Sequence, residues 1–362
     1  MRLISEWFRR TFDDPQVVLL VVVLLTAFLV ALFFAHILAP VIAAVVFAFL
    51  LDGPAQSLRR LGLSNTLAVV VVFVGFLAAG AVAIFLILPP LTGQLVQFFE
   101  LMPEMLNSIQ RALLKAPQAY PDLITVDQVL EIITGLRNQL VGIGQTAVQY
   151  TVVGLQGAIT FAVYAILVVV MVFFFLKDKK QILSWMGSFL PEHRPLVDQV
   201  WREVVQRTGD YVRGKVYEIV IVGVAAWVVY QLVGLSFATL LAVMTGLSVV
   251  IPYIGAAVVT LPVAFVAFFQ WGLGPDFAIA VGAYLILQAL DGNLLAPLLF
   301  SEVVKLHPNA IILAILVFGG IWGLWGVFFA IPLATLAHAV MKAWPSAADS
   351  AAAGDAPPRP AE

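Results

Sequence analysis

Charge disappears from this chain over long distances. Residues 15–51, 61–99, 138–176, 219–275, 277–290 and 306–341 contain no Lys, Arg, Asp or Glu. A helix needs roughly 20 consecutive apolar residues to cross a bilayer. Residues 67–88, 151–176, 219–235 and 277–297 each fit one crossing. Three further apolar stretches, 17–51, 237–271 and 309–341, are longer and carry a backbone breaker near their middle. The breakers are Pro40, the Pro252/Gly255 pair, and the series Gly319, Gly320, Gly323 and Gly326. Proline removes a backbone donor and glycine loosens a helix. Each long stretch is therefore expected to be a helical hairpin that either crosses twice or dips in and returns. Backbone breaks at membrane depth persist only where protein or water covers them.

With three hairpins and four single crossings, both termini fall on one side of the membrane. Arg2, Arg9, Arg10, Arg59 and Arg60 share that side with Lys177, Lys179, Lys180, Arg194, Arg202, Arg207, Arg213 and Lys215. The positive-inside rule makes it the cytoplasm. The opposite segment, 89–149, holds only Arg111, Lys115 and Arg137 as cations. The expected organisation is membrane helices in 1–88, an extracytoplasmic arm in 89–149 and a span in 150–176. A basic cytoplasmic loop or helix in 177–215, a C-terminal membrane domain in 216–342 and a disordered tail in 343–362 follow. The apolar run after the polar N-terminus is too long for a signal-peptide core and is read as retained.

The polar segments have their own periodicity. Leu95, Phe98, Phe99, Met102, Leu106, Ile109 and Leu113 recur at helical spacing, with Pro117 and Pro121 as a stop. Thr125 and Gln128 form a capping-box pattern ahead of Val129, Ile133, Leu136 and Leu140. This arm is expected to lie on the membrane or pack against a neighbouring subunit. Pro195 opens another amphipathic helix through Val197, Val200, Trp201 and Val204.

Composition fixes the solvent. Hydrophobic residues make up 62% of the 362 and charged residues 11%, whereas a soluble domain is about half apolar and a quarter charged. The reading is an all-α, polytopic transmembrane protein of about eight spans. A net charge of −2 argues against a nucleic-acid partner. The absence of cysteine excludes disulfides, thiolate metal sites and thiol nucleophiles. There is no phosphate-cradling glycine loop, no dinucleotide fingerprint and no zinc-protease or hydrolase motif. No enzyme activity, cofactor or metal is expected.

An ionisable group at the centre of a membrane helix costs about 2.5–3.5 kcal/mol on insertion scales, so each is a functional candidate. Asp291 leads. Gln288 lies one turn before it, Asn293 two residues after it, and Gly292 and Pro297 are expected to break the helix there. A carboxylate, two amides and freed carbonyls can hold a cation, a proton or the hydroxyls of a small polar solute. The alternative is a helix cap at the interface. His307, followed by Pro308 at a helix start, is either structural or a proton carrier. Glu218 opens a span and either anchors it or joins the site. The glycine series serves close packing or a gating hairpin.

Several motifs carry a resemblance. They are Tyr211-Val212-Arg213-Gly214, Gly234-x-x-Phe237-Ala238, Ile251-Pro252-Tyr253-Ile254-Gly255, Gln288-x-x-Asp291, Pro297 and Leu306-His307-Pro308. The glycine series and Ala330-Ile331-Pro332-x-Ala334 complete the set. Together they resemble the AI-2E transporter (autoinducer-2 exporter, PerM-like permease) family over nearly the whole chain. Ala256, Asp291 and Ser301 depart from its usual residues. The resemblance implies a bacterial inner-membrane permease and a homo-oligomer, a pentamer being one form. It also implies either export of a small polar solute such as autoinducer-2 or monovalent cation (sodium or lithium)/proton antiport. A non-transporting oligomeric scaffold or pore is the third class the residues leave open.

Overall fold

The computed structural model describes residues 15–114, 130–131, 134–135, 154–252, 254–300 and 307–343. The N-terminal cations, most of the second arm helix and the C-terminal tail lie outside these residues. Among the described residues there are helices and no strand, and eight stretches are long and apolar enough to cross a membrane. The chain is a polytopic helical membrane protein.

Helix α1 spans Pro15–Arg60. It is one continuous helix of 46 residues, about 69 Å at 1.5 Å per residue. The hairpin expected at Pro40 does not form. A lone proline removes one hydrogen bond and can kink a helix, but reversal needs residues that leave helical conformation, and none is found around Pro40. Helix α2, Asn65–Val82, starts at Ser64, whose side chain accepts the Leu67 N–H at 3.3 Å. It passes through a π-helical turn, Ala83–Ile87, into α3, Leu88–Leu113. The boundary expected between membrane and arm at 88/89 is thus helical throughout. Residues 65–113 would measure about 74 Å, so this rod outruns any bilayer.

Helix α4 is Gly154–Lys177, α5 is Lys179–Gly187 and α6 is Pro195–Val233. The amphipathic segment at Pro195 and the span beginning near residue 219 are one rod of 39 residues. Helices α7, Ala238–Ser248, and α8, Ile254–Trp271, form the hairpin expected at 237–271. Helix α7 is about 16 Å long, half a hydrocarbon core, so it is too short to cross one alone. Pro252 sits in the turn, and Gly255 is where α8 meets the last turn of α7. A Cβ there would lie 1.7 Å from the Ser248 carbonyl oxygen.

Helix α9, Pro275–Leu290, continues through a second π turn, Asp291–Leu295, into α10, Ala296–Phe300. Helix α11, Pro308–Ala343, leaves helical geometry at Gly323 (φ 58°, ψ −135°). Its two arms then fold back: a Cβ on Gly326 would lie 1.8 Å from the Phe318 carbonyl, and one on Gly319 would lie 2.8 Å from Val327 Cγ2. Gly320 has open space around it, and Pro332 lies inside the second arm without ending it.

Two compact units emerge. The first comprises Met1–Leu50, Phe174–Arg213 and Phe300–Glu362. In it, Tyr211 and Val212 of α6 pack with Ile311, Ile315, Ala330 and Ile331 of both α11 arms. Arg213 donates to the Phe49 carbonyl at 3.3 Å and to Asp210 at 2.5 Å. The second comprises Leu51–Phe173 and Gly214–Leu299. Its core joins Tyr230, Leu241, Val263 and Tyr284 from α6, α7, α8 and α9. Leu91, Leu95 and Phe98 of α3 pack on that core and Met105 is buried in it. Gln94 Oε1 accepts the Leu240 N–H at 2.9 Å. The first arm helix therefore packs part of its apolar face on this chain's own hairpin, while Val96 stays exposed.

Candidate functional site

The buried face of α6 reads Tyr211, Val212, Lys215, Glu218, Val222, Ala226 and Tyr230. These are steps of three and four, one stripe of the helix. Two of its members are charged. Lys215 and Glu218 lie three residues apart on one face, each only 3% exposed, and the ammonium donates to Glu218 Oε2. The same ammonium donates to the Val249 carbonyl at 3.0 Å, at the tip of the α7–α8 hairpin.

Helix α7 runs antiparallel along α6 at very short range. A Cβ on Gly246 would lie 2.8 Å from the Ile219 carbonyl. Tyr230 donates its phenol proton to Thr245 Oγ1 at 2.9 Å, and Thr245 donates onward to the Leu241 carbonyl at 2.7 Å. Trp227 Nε1 reaches Thr239 at 3.3 Å near the far end. The hairpin is thus fastened to α6 along its length, and Lys215 makes the attachment at the tip.

Asp291 approaches from the π turn. Its carboxylate is within electrostatic range of Lys215 and Glu218, and its Oδ1 is buried without a hydrogen-bond partner. The expected break at Gly292 and Pro297 is absent. The Ala296 N–H bonds the Asp291 carbonyl, five residues back, just before Pro297. A proline ring clashes with the carbonyl four residues earlier, and a wider turn relieves the clash while keeping the helix whole. Leu88, whose N–H bonds the Ala83 carbonyl just before Pro89, repeats the device.

Gln288 stays on the Asp291 side of α9. Its amide donates to the Tyr284 hydroxyl at 3.0 Å, and that hydroxyl donates to the Ala256 carbonyl at 2.5 Å. Thr260 donates to the same carbonyl at 2.9 Å. Asn293 is exposed and donates to the Ala289 carbonyl of its own helix at 2.8 Å. It does not complete a ligand set with Gln288 and Asp291. His307 is exposed and belongs to the first unit, where its Nδ1 accepts the Asn309 N–H at 3.3 Å and caps α11. Pro308 is the first residue of that helix.

The structure therefore brings Glu218 together with Asp291 and adds Lys215, which sequence reasoning left in the basic segment. The signal was present: Lys215 and Glu218 continue the buried spacing that starts at Tyr211. Among the described residues no three His, Asp or Glu side chains converge as a metal cluster. Lys215 and Glu218 instead form a buried ion pair, with the partly buried Asp291 carboxylate within electrostatic range of both.

Comparison with known proteins agrees with the architecture. PerM of Escherichia coli (strain K12), which carries the name of a permease, is 45% identical over 95% of this chain and 98% of its own length. YrrI of Bacillus subtilis (strain 168), named as a transport protein, is 25% identical over 83% of each chain. A Thermotoga maritima protein also named for transport is 24% identical over 80% of this chain and 83% of its own. The model describing the AI-2E family transporter matches residues 19–346, and the chain belongs to that family.

Proposed function

We propose that this transport protein is a permease of the bacterial inner membrane whose cycle is driven by exchange of a proton or a monovalent cation at Glu218 and Asp291. The observation that carries the reading is the buried Lys215–Glu218 pair with the Asp291 carboxylate, whose Oδ1 has no hydrogen-bond partner, in electrostatic range. Burying charge is unfavourable unless it is paired or used, and a scaffold or passive pore has no need of it. Glu218 is paired with the one ammonium and Asp291 is only within its electrostatic range, so the pair of carboxylates has room for one more positive charge, which an exchanging proton or cation would supply.

The topology fits alternating access. With the basic residues of 177–207 placed in the cytoplasm, α6 leaves it and α9–α10 returns to it. The C-terminus then lies in the cytoplasm, and the α7–α8 hairpin enters from the outer face with its tip at Lys215. The α11 hairpin enters from the cytoplasm. A short helical hairpin whose tip reaches an ion site, as the α7–α8 tip reaches Lys215, is a usual part of such carriers. The parity argument for a cytoplasmic N-terminus rested on a hairpin at Pro40 and falls with it.

Export of a small polar solute, autoinducer-2 or a similar molecule, is the second reading, as the cargo of the same cycle. It is favoured by the Tyr284–Gln288–Thr260 hydroxyls and amide one turn from Asp291. The resemblance also motivates a homo-oligomer. The exposed apolar side chains of the outer helices are apportioned between lipid and neighbouring subunits.

The test is purified protein in sealed liposomes with an internal pH dye and an imposed sodium gradient, with and without autoinducer-2. Wild type is expected to move protons when sodium or solute is supplied, and Glu218→Gln and Asp291→Asn are expected to stop it. Proton movement that persists unchanged in both correctly inserted variants overturns the coupling site. Solute flux without proton or sodium movement overturns the coupling and leaves export that is not driven at Glu218 and Asp291.

A further inference from the structure

We infer that Lys215 is a positioning residue that latches the tip of the α7–α8 hairpin and lets it go when Glu218 loses its charge. The inference rests on the coupling reading above and adds the part that converts ion occupancy into movement.

The ammonium bridges two elements. It donates to Glu218 three residues along its own helix and to the Val249 carbonyl on the hairpin. The second contact is the informative one, because Val249 belongs to an element that can move. Helix α7 has 11 residues and ends in a turn of residues 249–252 that no regular helix spans. The carbonyl of Val249 lies where the α7 ladder ends, so it needs an outside donor, and Lys215 supplies one. Its other ties to α6 are hydroxyl and indole bonds: Tyr230 to Thr245 and Trp227 to Thr239. The charge-assisted bond at the tip is the strongest class among them.

Glu218 sets the strength of that bond. An ionised carboxylate fixes the ammonium on the side of α6 that faces Val249. When a proton binds the carboxylate, or a cation takes the ammonium's place beside it, the ammonium loses its ion-pair partner and keeps only the longer-range attraction of Asp291. A lysine stem is long enough to withdraw its charge toward water. The charged groups acting on Glu218 are Lys215 from its own helix and Asp291 from the π turn. Residues 238–271 of the hairpin carry no Asp, Glu, Lys, Arg or His. The hairpin therefore senses ion occupancy through Lys215 and has no charge with which to sense it directly.

The protein contains no cysteine, so a single thiol reports the tip without background. Val250→Cys places it beside the latch. In purified protein reconstituted in lipid, the rate of maleimide labelling at this position reads tip opening. Lys215→Met and Glu218→Gln are each expected to raise the rate about tenfold, the population change for losing one charge-assisted hydrogen bond. The double variant Lys215→Met/Glu218→Gln should label no faster than either single variant, because both open one latch. It also removes the unpaired buried charge, which keeps the test usable if a single variant folds poorly. A control thiol at Leu61→Cys, an exposed position, should be unaffected throughout.

Labelling at Val250→Cys that stays at the wild-type rate in the folded double variant overturns the latch. So does a multiplied effect in the double variant. The coupling reading fails separately: proton flux that survives Glu218→Gln sinks it even when tip labelling rises, whereas lost flux with unchanged labelling sinks only the latch.

Discussion

The four glycines of the α11 hairpin fall within eight residues but have different surroundings, and alanine at each should separate them. Gly326 is the tightest. A Cβ there would sit 1.8 Å from the Phe318 carbonyl oxygen, a backbone atom that no rotamer change can move. Ordinary contact begins near 3.4 Å, so the arms must part by about 1.6 Å. Forcing extra carbon into a packed contact costs about 1–3 kcal/mol, and a shift of two backbones belongs at the top of that range. Gly323 has φ 58°, where an L side chain costs roughly 1–2 kcal/mol. Gly319 would meet only Val327 Cγ2, at 2.8 Å. That methyl can rotate away, so the loss should be below about 1.5 kcal/mol. Gly320 meets nothing within 4 Å and is helical. Alanine there should be neutral or stabilise by up to about 1 kcal/mol through helix propensity.

The assay is thermal unfolding of detergent-purified variants, followed by size-exclusion fluorescence or circular dichroism. The expected order of midpoints is Gly320→Ala at or above wild type, then Gly319→Ala, Gly323→Ala and Gly326→Ala. A Gly320→Ala variant as damaged as Gly326→Ala would refute the hairpin geometry, because it would mean that Gly320 and not Gly326 faces the opposite arm.

Three further outcomes are expected. Lys215→Met alone should lower stability by about 3–5 kcal/mol less whatever Glu218 recovers by taking up a proton, and Lys215→Met/Glu218→Met should be much closer to wild type in the same melts. Tyr284→Phe leaves the Ala256 carbonyl and the Gln288 amide each short of a partner. It should cost about 1–3 kcal/mol by thermal unfolding while leaving proton flux measurable. Asn293→Ala and His307→Ala should keep near wild-type transport in liposomes, since one side chain bonds its own helix and the other caps α11. A loss of flux comparable to that of Asp291→Asn would return either residue to the site.

How much was legible varied by element. The crossings near 67–88, 151–176 and 277–297 were read directly, because lipid demands an apolar run of a given length and the sequence displays it. The hairpins at 237–271 and 309–341 were also readable. Their reversals need residues with unusual backbone freedom or close approach, and Gly255 and Gly323 are such residues. Pro40, Pro89 and Pro297 were misleading. Proline marks a local conflict with the preceding carbonyl, but whether the chain breaks, kinks or absorbs the conflict in a π turn depends on what packs around it. At 83–87 and 291–295 the wider turn absorbs it.

The site divided in the same way. Asp291 and Glu218 stood out because charge in an apolar run is unfavourable anywhere along it. Lys215 did not, because it ends a basic segment and lysines there have a sufficient explanation in membrane sidedness. Asn293 and His307 are polar residues near Asp291 in sequence, and each makes a local bond to its own backbone neighbourhood. What the sequence determined by itself was solvent and secondary structure, both local consequences of composition and period. Only the tertiary structure decided that a hairpin carbonyl, a lysine from one helix and a carboxylate from another share one buried space. That convergence depends on the close approach of α7 to α6 at Gly246, a contact between residues far apart in the chain.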